Sequence, residues 1–453
     1  MHYISTRDTN KNKLTPSEAI IQGLAPDGGL YVPYHFHKLQ GFIGKPYEEI
    51  ALSVLKPYLD FSDREPEEYI HMAYQNRLPV KLNGCYLELF HGRTLSFKDV
   101  GLQLYPYLLT AALRKNNITK TAVVLTATSG DTGSAALAGI ANVPNTKAIV
   151  LYPHNGVSPT QKLQMTTQEG DNVHVFGIHG NFDDAQKAVK AVFTCEHFAK
   201  LSDRYVFTPA NSMNLGRLLP QIVYYFYSYS EWVQSGKINE GDSVNFVVPT
   251  GNFGNILAGH YASKMGLPIN KLICATNSNN VLCDFIKTGV YNKNRKFYTT
   301  ISPSMDILVS SNLERYLYDV GGCDSVNDAY NSLEKNGEFA FGKTLPLLEC
   351  DFATDAETLQ TIRDIYDTSK YILDPHTAVG QAVYNKYKLR TGDATPTLII
   401  STASPYKFPE TIESQLGNVL NNPPECIKAL QSKPILHNQI ISDIKTAIGD
   451  VLK

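Results

Sequence analysis

From about residue 120 to residue 210 the chain alternates apolar, β-branched runs with helical patterns, and few folds accept that rhythm. Thr121 to Thr126 is a β-branched strand candidate, and Ser129 to Ala141 is a small-residue helix. Lys147 to Tyr152 reads as a strand, followed by a helix from Thr160 to Glu169 entered through Ser158-Pro159. Val173 to Ile178 is a strand, Phe182 to Phe193 a helix with apolar residues about 3.6 apart, and Tyr205 to Thr208 a short strand. Strands separated by helices pair in parallel, because a parallel neighbour needs a crossover and not a tight turn. A second alternating region holds Val244 to Val248, a helix from Ile256, Lys271 to Ala275, a helix from Val281, and the late strand Thr397 to Ser401. The expected fold class is α/β, with two doubly wound units, mostly parallel sheets and a cleft between them. Ligands in such sheets sit beyond the carboxyl ends of strands. The segments 292–298 and 321–345, rich in Asn, Lys, Gly and Asp, read as loops or insertions.

Length and composition narrow the class further. A chain of 453 residues suggests two or three domains and is ample for a large core. Hydrophobic residues at 43% and charged residues at 19% make it globular and not disordered. A formal net charge of −2 gives no argument for nucleic acid or an anionic membrane as partner. The short basic clusters at Lys11 to Lys13 and Lys293 to Lys296 read as solvated loop charge. Seven scattered cysteines include no CxxC pair, which argues against a disulfide framework or a zinc site and fits a reducing compartment. His35-Phe36-His37 lacks a third ligand at a recognisable spacing, so no metal is expected. No apolar run reaches the roughly 18 residues of a membrane span. The N-terminus has no signal-peptide core and is acidic by Asp8, so the expected location is the cytoplasm.

Three segments carry the chemistry. The first is His91-Gly92-Arg93-Thr94-Leu95-Ser96-Phe97-Lys98-Asp99, where Leu95 and Phe97 flank a lysine with apolar surface. Desolvation depresses a lysine pKa and makes its amine nucleophilic; the plain alternative is a solvated surface lysine. The second is Thr250-Gly251-Asn252-Phe253-Gly254-Asn255, a glycine-rich turn between the strand Val244 to Val248 and a helix. Free N–H groups and the helix dipole make such a turn an anion site. The same glycines also suit an ordinary strand-to-helix turn. A lysine amine and a phosphate cradle together are what a phosphorylated aldehyde such as pyridoxal phosphate requires. The third is Thr128-Ser129-Gly130-Asp131-Thr132-Gly133-Ser134, whose hydroxyls crowd one helix N-terminus and form a receptor for a carboxylate or phosphate. Ordinary capping by Ser129 or Asp131 is its plain alternative.

Taken in order along nearly the whole chain, these motifs resemble the threonine synthase family, pyridoxal-phosphate enzymes of the tryptophan-synthase-β-like fold. The N-terminal Tyr3-Ile4-Ser5-Thr6-Arg7 and Gly23-Leu24-Ala25-Pro26-Asp27-Gly28-Gly29-Leu30-Tyr31-Val32-Pro33 fit it. So do the Lys98 and Asp131 segments, Asn211-Ser212-Met213-Asn214, Ser302-Pro303-Ser304-Met305-Asp306 and Asp374-Pro375-His376-Thr377-Ala378-Val379-Gly380. The chain departs at Arg93 and Ser96, where the family more often has Pro and Ala, and at Ser404, where it often has His.

The resemblance implies an N-terminal segment over 1–90, a smaller α/β domain over 91–210 with the substrate loop, and a large domain over 211–453 with the phosphate loop. It implies Lys98 as the residue that carries pyridoxal phosphate and shuttles protons. The backbone of Gly251, Asn252, Phe253, Gly254 and Asn255 would hold the cofactor phosphate, and Thr402 would face the pyridine nitrogen. Ser129, Thr132 and Gly133 would receive the substrate carboxylate. Asp131 falls near the cofactor's 3-oxygen, where a carboxylate would repel a phenolate, so a displaced or protonated Asp131 is expected. The implied reaction turns O-phospho-L-homoserine and water into L-threonine and phosphate. Its substrate phosphate would find Lys162 and Arg217 as cations and Ser158, Asn211, Ser212 and Asn214 as neutral donors. A monomer or homodimer is expected. A serine or threonine dehydratase or a phospho-amino-acid lyase of the same fold stays open as a second reading, and so does a cofactor-less binding protein. Dehydratases need no phosphate-binding cations, and visible colour in the purified chain distinguishes an enzyme from an empty scaffold.

Overall fold

The computed structural model describes residues 1–75, 77–128, 130–180, 182–193, 200–209 and 211–453. Two parallel sheets organise them. The smaller has five strands in the order Ile440–Ile441, Val173–Ile178, Thr146–Pro153, Thr121–Ala127, Tyr205–Pro209, all parallel. The larger runs Leu348–Phe352, Ile269–Thr276, Val244–Pro249, Thr397–Ser401, Tyr86–Glu88, Lys81–Asn83, parallel except for the antiparallel hairpin at its last edge. Two antiparallel ribbons, Tyr3–Ser5 with Tyr31–Pro33 and Val290–Asn292 with Glu338–Ala340, lie outside them.

The central strands are apolar because both faces are covered by helices. All six residues of Val244–Pro249 are buried. Each buried aliphatic side chain there contributes about 1.5–3 kcal/mol, so a polar substitution in this strand would cost more than a surface one. The helices that cover the sheets start where the sequence supplies caps. Thr15, Ser158 and Thr354 each accept the N–H three residues on, with Glu18, Gln161 and Glu357 closing the box.

The sheets do not follow chain order. Strand Tyr86–Glu88 pairs with Thr397–Ser401 in the larger sheet. The C-terminal strand Ile440–Ile441 returns to the smaller sheet, where Ile448 and Leu452 pack on Val123, Ile149 and Val189. The smaller sheet therefore draws strands from both sides of position 210, and the larger from before 90 and after 210.

The loop expected over 321–345 is overturned. Leu313–Asn336 is a helix of 24 residues, broken only at Gly322 with φ 77°. Val326, Ala329 and Leu333 hold its second half to the core. Their spacing of three and four is the helical signal, which the surrounding Asn, Asp, Ser and Gly masked.

Candidate active site

Lys98 opens a short helix, Lys98–Leu102, directly after a tight turn. Asp99 makes that turn: its carboxylate accepts the Thr94 N–H at 2.8 Å and the Thr94 hydroxyl at 2.7 Å. Leu95 takes φ 60°, a left-handed backbone that a leucine rarely adopts. The turn is pinned to the end of the central strand Thr397–Ser401, because Phe97 donates to the Thr402 carbonyl and Ser404 to the Leu95 carbonyl. It thus delivers Lys98 to the carboxyl ends of the strands.

The Lys98 side chain is 12% exposed. Its Nζ lies 3.4 Å from Asp131 Oδ2 and 3.4 Å from Ser304 Oγ, with the Phe97 ring beneath it. Burial pushes its pKa down, Asp131 opposes that, and the nearby cations of Lys407 and Arg217 lower it further. A buried amine with a depressed pKa is a nucleophile and a proton carrier.

Ser304 joins the lysine to the glycine-rich turn. A Cβ at Gly251 would sit 2.7 Å from the Ser304 carbonyl oxygen and 3.3 Å from the Met305 Cα. Ser310 Oγ donates to the Gly251 carbonyl at 2.6 Å, and Asn312 donates to the Asn252 carbonyl through both its N–H and its side-chain amide. With the carbonyls held from behind, the N–H groups of Gly251, Asn252, Phe253, Gly254 and Asn255 have no acceptor among the described residues. The Asn255 side-chain Nδ2 is buried and unpartnered too, its Oδ1 being held by Tyr224 and Tyr225. Six donors without acceptors at the start of helix Gly254–Lys264 form an anion receptor. The left-handed residue here is Phe253, at φ 63°, and neither glycine has a positive φ. The glycines are thus not required for their dihedrals. Gly251 is required for space, whereas a Cβ at Gly254 would meet nothing closer than Asn312 Nδ2 at 3.5 Å.

Asp131 corrects one expectation. Expected to be displaced or protonated, it is 3% exposed and faces two lysines, surroundings that favour its ionised form. Lys407 pairs with its Oδ1 at 2.9 Å and Gln161 donates to the same oxygen at 2.8 Å. Burial would raise its pKa, but Lys407, Lys98 and Gln161 together hold it well below the usual carboxylate range. Lys407 itself was missed in the sequence. Its signal was the same as that of Lys98, a lysine framed by Pro405, Tyr406 and Phe408.

The other candidates divide. Thr402 is 5% exposed, next to the Lys98 turn, and its hydroxyl has no partner among the described residues. Arg217 is buried and near Lys98, and burial lowers its pKa to about 10, so it remains a cation at neutral pH. The Lys162 amine, half-buried, makes no ion pair or hydrogen bond among the described residues. Ser212 lies beside Gly254 and accepts from Asn312, while Asn211 accepts from Thr126 at 3.5 Å. Thr132 is half-buried in the first turn of helix Asp131–Ile140, and Ser129 lies outside the described residues.

Three candidates are scaffold. The Gly133 N–H is spent on the Thr128 hydroxyl at 2.9 Å. The Ser158 hydroxyl caps its helix and donates to the Lys407 carbonyl at 3.1 Å. Asn214 is fully buried, capping Leu215–Leu218 while donating to the Ile20 carbonyl. Short local polar bonds win these groups because they complete helix ends first.

A nucleophilic lysine beside an anion-binding turn at the strand ends of a parallel sheet defines a pyridoxal-phosphate-dependent enzyme, and the family model of that description matches residues 77–330. The models described as threonine synthase N terminus and threonine synthase, C-terminal, match residues 2–74 and 377–447. The threonine synthase of Pseudomonas aeruginosa is 40% identical over 91% of this chain and 90% of its own length. The PLP-bound threonine synthase of Brucella melitensis superposes with a TM-score of 0.91 at 35% identity, covering 100% of this chain and 99% of that one. The yeast threonine synthase structure gives 0.90 at 34% identity, over 100% and 98%. The chain belongs to the threonine synthase family. Its cofactor is pyridoxal phosphate, and the residues fit it: a desolvated amine, joined through Ser304 to a phosphate-sized set of free N–H donors.

Proposed function

We propose that this chain converts O-phospho-L-homoserine and water to L-threonine and phosphate, with pyridoxal phosphate held on Lys98. The observation that carries the reading is the largely buried Lys98 amine, 3.4 Å from Asp131 and joined through Ser304 to the free N–H groups of the Gly251–Asn255 turn. When bound, the cofactor supplies electron withdrawal from the substrate's carbon chain. The chain's own residues do the rest. Lys98 takes the proton from the α-carbon and returns protons along the chain, a role that the lowering of its pKa by burial favours. The N–H groups of the turn and Asn255 Nδ2 hold the cofactor phosphate. Thr402 would offer a neutral hydroxyl to the ring nitrogen, which need not keep that nitrogen protonated as a carboxylate would. Thr132, in the first turn of helix Asp131–Ile140, receives the substrate carboxylate together with Ser129 and with the help of helix N–H groups. Arg217 and Lys162, with Ser212 and Asn211, take the substrate phosphate and stabilise the charge that grows as it leaves. A cytoplasmic location is part of this reading, and the free cysteines scattered among the described residues support it.

The test is to supply purified chain with O-phospho-L-homoserine and measure both products. Threonine and phosphate released in equal amounts support the reading. Keto acid and ammonia from serine or threonine, without threonine from phosphohomoserine, would establish a dehydratase instead.

The two glycines of the turn give a sharper check. Gly251→Ala forces a methyl group against the Ser304 backbone, which cannot swing aside. Overpacking of about 1–3 kcal/mol should weaken cofactor affinity roughly tenfold or more in a spectroscopic titration. Gly254→Ala, with ordinary contacts around its Cβ, should change affinity by less than about threefold. Equal losses at both positions would mean that the turn is not shaped as described.

A further inference from the structure

Lys407 ends the short helical turn Pro405–Lys407 and has no exposed surface. Three oxygens surround its Nζ: the Thr94 carbonyl at 2.7 Å, Gln164 Oε1 at 2.7 Å and Asp131 Oδ1 at 2.9 Å. An ammonium has three N–H bonds to offer them. A neutral amine has two, and would turn its lone pair on one of the oxygens. Lys98 is placed differently. Its two polar contacts among the described residues are both 3.4 Å long, beyond the usual range of about 2.7–3.2 Å for an N–H donor. Lys98 and Lys407 share the Asp131 carboxylate, and the close contact belongs to Lys407.

We propose that Lys407 is a positioning residue for the Lys98 amine: it holds Asp131 as a carboxylate in an ion pair of its own, so that Lys98 works as a neutral amine without leaving a buried carboxylate unpaired. The inference rests on the reading of Lys98 as the cofactor lysine. Without Lys407, Lys98 would be the nearest cation to Asp131, and a carboxylate at that distance keeps an amine protonated. A protonated Lys98 neither attacks a carbonyl nor accepts a proton.

The clamp is built from one helix. On Pro159–Thr166 and its cap, Ser158 donates to the Lys407 carbonyl at 3.1 Å, Gln161 to Asp131, and Gln164 accepts from Lys407 while donating to the Thr94 carbonyl at 3.0 Å. Three residues spaced by three share one helix face, which explains why the polar side chains of this helix are buried. The other charged groups toward Lys98 are Arg217, a cation from helix Leu215–Leu218, and Asp99, whose carboxylate is engaged by Thr94. His376 reaches the site through Ser304, accepting its N–H on Nε2 at 3.2 Å. None of these pairs with Asp131 in place of Lys407.

The experiment follows the rate at which cofactor-free full-length chain combines with pyridoxal phosphate, measured by visible absorbance across pH. The step requires the neutral amine, so its pH limb reports the Lys98 proton. In Lys407→Met the limb should move to higher pH by more than about one unit, slowing combination at neutral pH more than tenfold. Lys407→Arg, which keeps the charge, should restore most of the limb. Asp131→Asn should move it the opposite way, to lower pH, because the group that favours protonated Lys98 is gone. A limb unmoved in folded Lys407→Met overturns the proposal. If that variant does not fold, Asp131→Asn decides it by the same readout, and an unmoved or alkaline limb overturns it. Lys98→Ala serves as the control: if it still gains the full cofactor absorbance, the reading of Lys98 has failed, and not the role of Lys407.

Discussion

Lys98→Ala should give a folded, colourless chain with turnover lowered by about 10⁴-fold or more. Loss of positioned proton transfer alone accounts for roughly 10²–10⁴-fold, and loss of the covalent hold on the cofactor adds to it. The fold should survive because Asp131 keeps Lys407 at 2.9 Å and Gln161 at 2.8 Å. Linkage points the same way. The Lys98 pKa is lower in the folded chain than in the unfolded one, so between those two values the unfolded state binds more protons and stability rises with pH. At neutral pH the buried lysine therefore costs stability, and alanine removes that cost. The checks are an absorbance spectrum, a thermal melt and a product assay on one preparation. Turnover near the parent rate, with visible colour retained, would remove Lys98 from the chemistry.

Arg217→Met should raise KM for phosphohomoserine and lower kcat together, a loss of about 2–4 kcal/mol in transition-state binding. Arg217 is 5% exposed, keeps its charge with a pKa of about 10, and lies near enough to Lys98 to lower the pKa of its amine. A cation that merely gripped the ground state would change KM alone; one facing a departing phosphate also changes kcat. Methionine keeps the apolar stem, so packing against the rest of helix Leu215–Leu218 is retained. Steady-state kinetics on phosphohomoserine, with unphosphorylated homoserine for comparison, measures the split. Full kcat/KM in the variant, or comparable turnover of homoserine by the parent, would place the substrate phosphate elsewhere and favour a dehydratase.

The elements that sequence patterning gave correctly are those whose pattern is local. Val173–Ile178 and Thr397–Ser401 have the expected bounds because turn residues flank a short apolar run. The segment Leu313–Asn336 read as a loop because Gly321-Gly322 and the polar residues after it outweigh its three core positions. Packing of Val326, Ala329 and Leu333 supplied the stability that propensity lacked. Within the site, Lys98 and the Gly251–Asn255 turn were visible because a lysine in an apolar frame and a strand–glycine–helix sequence are contiguous motifs. The fates of Ser158, Gly133 and Asn214 were not, because whether a polar group faces a ligand or caps a helix depends on where the chain goes next.

Sequence alone therefore determined the alternation that demands parallel sheets, the lysine in its apolar frame and the strand–glycine–helix turn, all properties of short stretches whose periodicity and residue types act over a few bonds. Tertiary structure alone decided which charges meet. Asp131, Lys98 and Lys407 come from three separate segments, brought together by the pairing of Ser96 with Ala403 and by the helix from Pro159. A buried carboxylate takes its state from the cations within a few ångströms of it. That is why the surroundings of Asp131, expected to be displaced or protonated, favour its carboxylate form.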